Sequence, residues 1–340
     1  MDLKDIENVV NSLRGSLYPS LGDMSGYEVY HQKRSIFSET AKVRLHFGRA
    51  TKNIVLKESR RDPSEESRDR RAVEVEFDTL RALHDKFSEC EGLNVVRPLA
   101  CLPDNDILVL EEFAGNQLNT VIVDKLRWRP SERVRKQLGG YFTLCGTWLR
   151  LFQQFTKEDE TIAFAGAAYL ERVESLFVAV EWCGIGDQLK ERILEFAGAK
   201  CEQISERQVE MAGYHSDFTP WNILVDDDQI AVMDFGQSSR STTYDDLTLF
   251  LATLEGYKSV VGINDANISH MSSAFLDGYR TSTLDPDLFD LLLLKNTLKT
   301  IWMMGYSTLE KAGVIDRIYR DYRKRKQLGV HLSRLEQLTS

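Results

Sequence analysis

A short polar segment between two apolar runs constrains this chain more than any other feature. Ile223-Leu224-Val225 and Ile230-Ala231-Val232-Met233 flank the segment Asp226-Asp227-Asp228-Gln229. Two β-prone runs joined by a few turn-forming residues are typical of a β-hairpin. Aspartate is favoured in such turns because its side chain hydrogen-bonds the local backbone. We therefore interpret the three aspartates as structural and predict two antiparallel strands around a turn at residues 226–229.

The predicted hairpin places oxygen donors together at its open end. In this register Asn222 lies opposite Met233 or Asp234, and cross-strand neighbours are about 5 Å apart. Asp217 precedes Asn222 by five residues and lies in the loop that enters the hairpin. Mg²⁺ typically takes one or two protein carboxylates and completes its coordination with water and phosphate oxygens. The pattern therefore favours metal-assisted phosphoryl transfer.

The segments around these residues resemble the aminoglycoside phosphotransferase and choline kinase family. Residues 214–224 (Y-H-S-D-F-T-P-W-N-I-L) are similar to the family's H-x-D-x-x-x-x-N catalytic loop, and residues 232–236 are similar to its D-F-G element. The resemblance implies that Asp217 orients the acceptor hydroxyl as the catalytic base. It also implies that Asn222 and Asp234 hold metal ions beside the nucleotide.

A lysine and a glutamate in the first part of the chain form a second candidate pair. Glu76 recurs with Leu80, Leu83 and Phe87 at helical spacing, so it lies on an otherwise apolar stripe. An unpaired carboxylate buried there would be strongly destabilising, and Lys57, at the end of a predicted strand, is the expected partner. The resemblance implies that Lys57 contacts the nucleotide phosphates, as the lysine of the family's V-A-I-K strand does.

Other nucleotide contacts follow from the same resemblance. The predicted turn at residues 37–41 contains no glycine, unlike the glycine-rich loop of protein kinases, and Ser38 and Thr40 are the expected phosphate contacts there. Glu111 and Phe113, in the predicted hinge between lobes, are the expected adenine contacts. The implied cofactors are ATP and Mg²⁺, with GTP left open as an alternative to ATP.

The order of predicted elements indicates an α+β fold, the bilobal protein kinase-like fold. Residues 1–113 form the predicted nucleotide-binding lobe, a small antiparallel sheet with one helix that starts at Asp62-Pro63-Ser64-Glu65 and runs to about Phe87. Residues 114–340 form the predicted larger and mostly helical lobe, with the catalytic loop and the acceptor site. The main segments are strands at residues 27–37, 43–47, 53–57 and 107–110 and helices within 131–155, 165–210 and 245–330.

Some residues depart from the family pattern or have a supporting role in it. Ser216 stands where glycine is usual in the His-Gly-Asp version of the loop, and serine is small enough to be tolerated there. His215 is expected to support the loop without acting as an acid or base. Asp246 lies at a start resembling the family's D-L-A helix and is predicted to cap that helix. The A-P-E segment of protein kinases has no visible counterpart after Gly236, and the absence of glycine from the turn at residues 37–41 argues against a protein kinase more than against a kinase.

The acceptor is predicted from weaker signals. The D-F-T-P-W-N form of the loop is similar to kinases that act on sugars or glycolipids, so we predict a sugar or lipid-linked sugar hydroxyl. The C-terminal helix is basic and contains Arg317, Arg320, Arg323, Lys324, Arg325 and Lys326. These residues either form a solvated helical face or attract a phosphorylated or membrane-borne substrate. Glu158-Asp159-Glu160 is interpreted as a solvated loop. The alternatives are an aminoglycoside, choline or other amino-alcohol kinase, and a pseudokinase scaffold.

Composition disfavours several other classes of protein. A net charge of −9 over 340 residues disfavours nucleic acid as a partner. The five cysteines are widely spaced and lack a C-x-x-C pair, which predicts reduced thiols and no zinc site. The start of the chain lacks the apolar run of a signal peptide, and no run approaches the ~20 apolar residues of a membrane span. We therefore expect a cytoplasmic protein, with peripheral membrane contact left open.

Overall fold

The computed structural model describes residues 3–35, 38–59, 72–159, 161–280, 284–305 and 314–340. By its internal contacts the chain divides into two compact units. The first comprises residues 1–115 and 229–237, and the second comprises residues 116–228 and 238–340. The functional lobes predicted at residues 1–113 and 114–340 stay a prediction.

The first unit is built on a five-stranded antiparallel sheet, whose strand order is β1-β2-β3-β6-β5. Its elements are α1 (Leu3–Ser12), β1 (Gly26–Arg34), β2 (Ser38–Phe47), β3 (Ala50–Ser59), α2 (Ala72–Phe87), β4 (Leu93–Val95), β5 (Pro98–Leu102) and β6 (Ile107–Glu111). A later strand, β12 (Gln229–Val232), also belongs to this unit and pairs in parallel with β4.

The sheet forms because apolar residues alternate along its strands. In β2, Ala41, Val43, Leu45 and Phe47 are buried at every second position, and they pack in one core with apolar residues of α1. Phe47 pairs directly with Ala50, so the turn between β2 and β3 is only two residues long.

The long helix of the first unit is α2. It buries Val73, Glu76, Leu80, Leu83 and Phe87, which is the stripe predicted from the sequence with one more residue. The predicted helix start at residues 62–65 lies outside the described residues.

The second unit is mostly helical. Its elements are β7 (Asn116–Gln117), α3 (Leu118–Lys125), α4 (Glu132–Thr156), β8 (Ile162–Ala163), α5 (Gly166–Ala179), α6 (Asp187–Ile204), β9 (Gln208–Val209), β10 (Met211–Tyr214), β11 (Ile223–Asp226), β13 (Ser239–Thr242), α7 (Tyr244–Glu255), α8 (Asp265–Tyr279), α9 (Pro286–Gly305) and α10 (Val314–Leu338). Short antiparallel pairs join β7 with β11, β8 with β9, and β10 with β13. None of the helices in the described ranges is long and apolar enough to span a bilayer.

Helices α4 and α8 form the central pair of this unit. Ser131 caps α4 because its hydroxyl accepts a hydrogen bond from the Val134 N–H at 3.3 Å. The helices approach so closely that a Cβ atom at Gly146 would lie 2.0 Å from the carbonyl oxygen of Phe275. Only glycine allows this backbone contact.

The structure confirms the predicted α+β fold, with an antiparallel sheet first and helices afterwards. It corrects two predicted turns. Residues 38–41 belong to β2 and do not form a turn. Asp226 and Gln229 belong to β11 and β12, so only Asp227 and Asp228 lie between those strands. The five cysteines are free thiols, as expected.

Candidate active site

The first unit contains a lysine bound by two carboxylates. Lys57 lies on β3, and its Nζ is 2.8 Å and 3.0 Å from the two carboxylate oxygens of Glu76 and 2.6 Å from Oδ1 of Asp234. The ion pair expected between Lys57 and the buried carboxylate of α2 is therefore present. Burial opposes the charged form of this lysine, but the two carboxylates outweigh burial and raise its pKa. The ammonium group is thus held charged.

The two carboxylates differ in their exposure. The Glu76 side chain is 3% exposed, whereas the Asp234 side chain is 49% exposed. Gly236 leaves room for Glu76, because a Cβ atom at this glycine would lie 3.1 Å from Oε2 of Glu76. Glu76 is therefore placed to hold Lys57, and Asp234 is the carboxylate that a solvent-borne ligand can reach.

The two residues predicted to contact phosphate, Ser38 and Thr40, lie at the start of β2. Ser38 and Thr40 are strand residues, and Thr40 pairs directly with Lys57 on β3, so these two side chains share a face of the sheet. The Ser38 N–H donates to the hydroxyl oxygen of Ser35 at 3.0 Å. A backbone loop that wraps phosphate is therefore not formed by residues 38–41, and their role in nucleotide binding stays a prediction.

The predicted adenine contacts lie at the end of β6. The Glu111 carboxylate accepts a hydrogen bond from the Tyr18 hydroxyl at 2.9 Å and forms ion pairs with Lys52 at 3.5 Å and Arg97 at 3.4 Å. Its side chain thus joins parts of the first unit. Phe113 is half-buried, and its carbonyl accepts the Gly115 N–H at 2.9 Å. Adenine contacts by either residue stay a prediction.

In the second unit, the loop between β10 and β11 orients the carboxylate of Asp217. Asn222 Nδ2 donates to Oδ2 of Asp217 at 2.7 Å and to its carbonyl oxygen at 3.0 Å. The Thr219 hydroxyl is 3.4 Å from the other carboxylate oxygen. The ring of the buried His215 accepts the Asp217 N–H through Nδ1 at 3.3 Å, which fits a supporting role. The grouping of Asp217 and Asn222 with Asp234 stays a prediction.

Asp246 holds the same loop from α7. Its carboxylate accepts the backbone N–H groups of His215 at 2.7 Å and Ser216 at 3.1 Å. Burial raises its pKa to about 7, although these two N–H donors and the nearby Lys299 oppose the shift. The prediction that Asp246 caps its own helix is wrong, because its partners are loop residues about 30 positions earlier.

Two lysines of α9 are functional candidates that the sequence reasoning missed. Lys295 is 4% exposed and forms a buried ion pair with Asp245. Lys299 donates from Nζ to the carbonyl oxygen of Ser216 at 2.6 Å and to the hydroxyl of Tyr214 at 3.0 Å. A signal was available, since both lysines interrupt an otherwise leucine-rich run at residues 291–299 at a spacing of one helical turn.

The basic C-terminal helix is α10, and part of its charge packs against aromatic rings. The ammonium group of Lys324 lies 4.2 Å from the ring centroid of Trp182, and that of Lys326 lies 5.3 Å from the ring of Tyr322. The side chains of Arg317 and Arg320 lie outside the described residues.

The acidic run at residues 158–160 is partly engaged in the second unit. Glu158 forms an ion pair with Arg240 at 3.4 Å, and Asp159 is exposed. Glu160 lies outside the described residues.

The fold and the charged residues define a kinase-like phosphotransferase. The model of the Phosphotransferase enzyme family, APH, matches residues 46–263 of the chain. This match covers well over half of the chain, so the protein belongs to that family and is a small-molecule kinase with an alcohol group as acceptor. No curated protein sequence matches the chain.

Solved structures with the same fold are distant in sequence. A glucosamine kinase with glucosamine, ADP and inorganic phosphate is 16% identical, with a TM-score of 0.58 over 92% of this chain and 82% of the other. A spectinomycin phosphotransferase with ADP and spectinomycin is 13% identical, with a TM-score of 0.54 over 97% and 98%. An amicoumacin kinase with AMP-PNP and Ca²⁺ is 14% identical, with a TM-score of 0.54 over 96% and 93%.

Proposed function

We propose that this phosphotransferase transfers the γ-phosphoryl group of Mg-ATP to a sugar or lipid-linked sugar hydroxyl. The observation that carries the proposal is the orientation of Asp217, whose carboxylate is held by the Asn222 amide at 2.7 Å. Asp217 would accept the proton of the acceptor hydroxyl while the new bond from oxygen to phosphorus forms. The bond to the bridging oxygen then breaks and ADP leaves. A cytoplasmic site of action is part of this proposal, because ATP is supplied there.

The charged residues of each unit fit the nucleotide and its metal ion. Lys57 would contact the phosphates, since its ammonium is held charged by Glu76 and Asp234. The half-exposed carboxylate of Asp234 and the carboxamide oxygen of Asn222 are hard oxygen donors, which suit Mg²⁺. When bound, magnesium would neutralise charge on the transferred phosphoryl group.

An exposed aromatic side chain in the loop that contains Asp217 favours a sugar acceptor. Trp221, in the same loop, is 38% exposed and stacks on Tyr257 with ring centroids 6.3 Å apart. A rigid exposed aromatic face suits contact with the apolar face of a sugar ring.

An acceptor screen tests this proposal. The protein would be incubated with Mg-ATP and, separately, glucosamine, N-acetylglucosamine, neutral hexoses, a lipid-linked sugar in detergent, choline and kanamycin. Acceptor-dependent ADP release and phosphorus NMR of the product would identify the phosphorylated group. We expect turnover with a sugar or lipid-linked sugar and little with kanamycin. Preferred phosphorylation of kanamycin or choline would overturn the sugar proposal, and nucleotide binding without any turnover would favour the pseudokinase scaffold.

A further inference from the structure

Ser216 has a backbone conformation that its own side chain does not favour. Its φ is 70°, in the left-handed region where a residue with a Cβ atom is strained. Asn and Asp often relieve this strain with local hydrogen bonds, but the buried Ser216 hydroxyl has no hydrogen-bond partner among the described residues. The conformation must therefore be stabilised by groups elsewhere in the second unit.

Those groups come from two helices and bind both polar backbone atoms of Ser216. Its N–H donates to Oδ1 of Asp246 on α7 at 3.1 Å, and its carbonyl oxygen accepts from Nζ of Lys299 on α9 at 2.6 Å. A carboxylate thus binds the N–H of Ser216, and an ammonium group binds its carbonyl oxygen. The next residue in the chain is Asp217, so any rotation at Ser216 would redirect that carboxylate.

Lys299 is itself held in one place. Its ammonium group also donates to the Tyr214 hydroxyl at 3.0 Å and lies 5.4 Å from the centroid of that ring. Burial and the nearby Lys295 lower its pKa, while Asp246, Asp217 and Asp245 favour its charged form. Lys299 thus stays in this position against the cost of burying its charge.

We propose that Lys299 is a positioning residue for phosphoryl transfer, which together with Asp246 clamps Ser216 in the left-handed conformation and so fixes the direction of the Asp217 carboxylate. The inference rests on the proposed role of Asp217 as the catalytic base. Lys299 does not touch the reacting atoms in this proposal. Its effect on the reaction passes through the backbone of Ser216.

The clamp predicts a specific coupling between positions 299 and 216. Lys299→Met should lower kcat by about tenfold or more, because even a small displacement of a catalytic group from its reactive geometry lowers the rate strongly. The KM for ATP should stay within about threefold, since Lys57 and Asp234 are unchanged. Glycine adopts a positive φ at little cost, so Ser216→Gly in the Lys299→Met background should restore about fivefold or more of the lost kcat.

A matched control separates positioning from a general loss of stability. Lys200 on α6 pairs with Asp287 in the first turn of α9 at 2.6 Å, and its side chain is 19% exposed. Lys200→Met makes the same substitution at a lysine that contacts the other end of α9, and it should leave kcat within about twofold. All variants would be assayed well below their unfolding temperatures with the best acceptor of the screen.

Hydrogen exchange gives a readout that needs no acceptor. In Lys299→Met, the amides of residues 214–218 should exchange faster, while those of α4 should not change. The clamp would be overturned by an unchanged kcat, by a Lys299→Met loss of kcat that is equal with and without Ser216→Gly, or by unchanged exchange in residues 214–218. If the wild-type protein phosphorylates no acceptor, the proposed function fails, and the exchange experiment still decides whether Lys299 holds the loop.

Discussion

The two units hold their aspartates in different ways. In the first unit, Asp234 is bound directly by the ammonium group of Lys57 at 2.6 Å. In the second unit, Asp217 accepts a hydrogen bond from the neutral amide of Asn222 at 2.7 Å, and the ammonium group of Lys299 binds the backbone of Ser216. The first arrangement stabilises charge, whereas the second fixes direction.

These two arrangements fit the roles proposed for the two carboxylates. A metal ligand must stay ionised, and a directly bound cation favours ionisation. A base must accept a proton, and a directly bound cation would weaken its basicity for the same reason. In the second unit, the ammonium group of Lys299 binds the carbonyl oxygen one residue before Asp217 and so orients the loop.

The largest effect is expected from Asp217, the carboxylate proposed as the catalytic base. Asp217→Asn should lower kcat by about 10³-fold, because a positioned general base typically contributes 10²–10⁴-fold. The KM for ATP should change little, since nucleotide contacts are proposed to depend on Lys57 and Asp234. Steady-state kinetics with the best acceptor of the screen would measure both parameters.

The control for this variant is Asp228→Asn, in the exposed turn between β11 and β12. It should keep wild-type turnover. An Asp217→Asn enzyme that keeps activity within a few-fold of wild type would show that this carboxylate is not the base.

The next effect is on the stability of the first unit. Lys57→Met leaves the buried Glu76 carboxylate without its cation, so the free energy of unfolding should fall by about 3 kcal/mol. Adding Glu76→Gln to Lys57→Met should recover part of this loss, because the buried charge is then removed. Urea unfolding of the single and double variants would measure the coupling.

Lys52→Met is the matched control on the same strand, since the Lys52 side chain is 41% exposed and its ion pair with Glu111 is 3.5 Å long. It should cost about 1 kcal/mol or less. Equal losses of unfolding free energy in Lys57→Met and Lys52→Met would contradict the role of Lys57 in stabilising the buried Glu76 carboxylate.

A buried histidine makes the second unit sensitive to acid. His331 is fully buried, and desolvation lowers its pKa to about 4 from the ordinary value of 6.5. Between pH 6.5 and about pH 4, His331 is therefore protonated in the unfolded chain but neutral in the folded chain. Above pH 6.5 the histidine is neutral in both states and does not destabilise the fold. As the pH falls from 6.5 to about 4, preferential protonation of the unfolded chain lowers the free energy of unfolding by about 3 kcal/mol in all.

The test compares the wild type with His331→Gln by urea unfolding between pH 4 and pH 7. Asp246 contributes with the opposite sign, because its raised pKa of about 7 favours the folded state at low pH. Only the difference between the two proteins isolates the histidine. A difference in unfolding free energy that does not vary across this range would exclude His331 as the acid-sensitive group.

The smallest effect is expected from relieving backbone strain. Ser216→Gly should raise the unfolding free energy by up to about 1 kcal/mol, because glycine tolerates a φ of 70° and the change removes a buried hydroxyl that lacks a partner in the described part of the chain. Asp106→Gly, at a φ of 54° in the first unit, should give less, since aspartate tolerates this region better than serine. Differential scanning calorimetry would measure both changes. A larger increase in unfolding free energy for Asp106→Gly than for Ser216→Gly would contradict the prediction that Ser216 has the greater backbone strain.

Short-range patterns predicted much of the candidate site. The pairing of Lys57 with Glu76 followed from helical spacing and the cost of a buried charge, and the proximity of Asp217 to Asn222 followed from their separation of five residues in the sequence. Ser38 and Thr40 were predicted in a turn because the polar residues before Ala41 show no alternation with apolar residues. They belong to β2 because this stretch pairs with β3, where Ser38 lies opposite Ser59.

Asp246 was misassigned for a related reason. An aspartate at a helix start is usually a cap, and its sequence context cannot show that backbone N–H groups of a distant loop compete for the carboxylate.

The sequence by itself determined the α+β fold, the phosphotransferase motifs and the identity of the charged residues that lie among apolar neighbours. Only the tertiary structure decided that Lys299 and Asp246 meet at Ser216. The contact between Lys299 and Ser216 joins residues 83 positions apart, and periodicity along one helix carries no information about a partner at that distance. Hydrophobic packing of α7 and α9 brings both charges to the loop, and burial then requires each charge to bind the polar groups it meets.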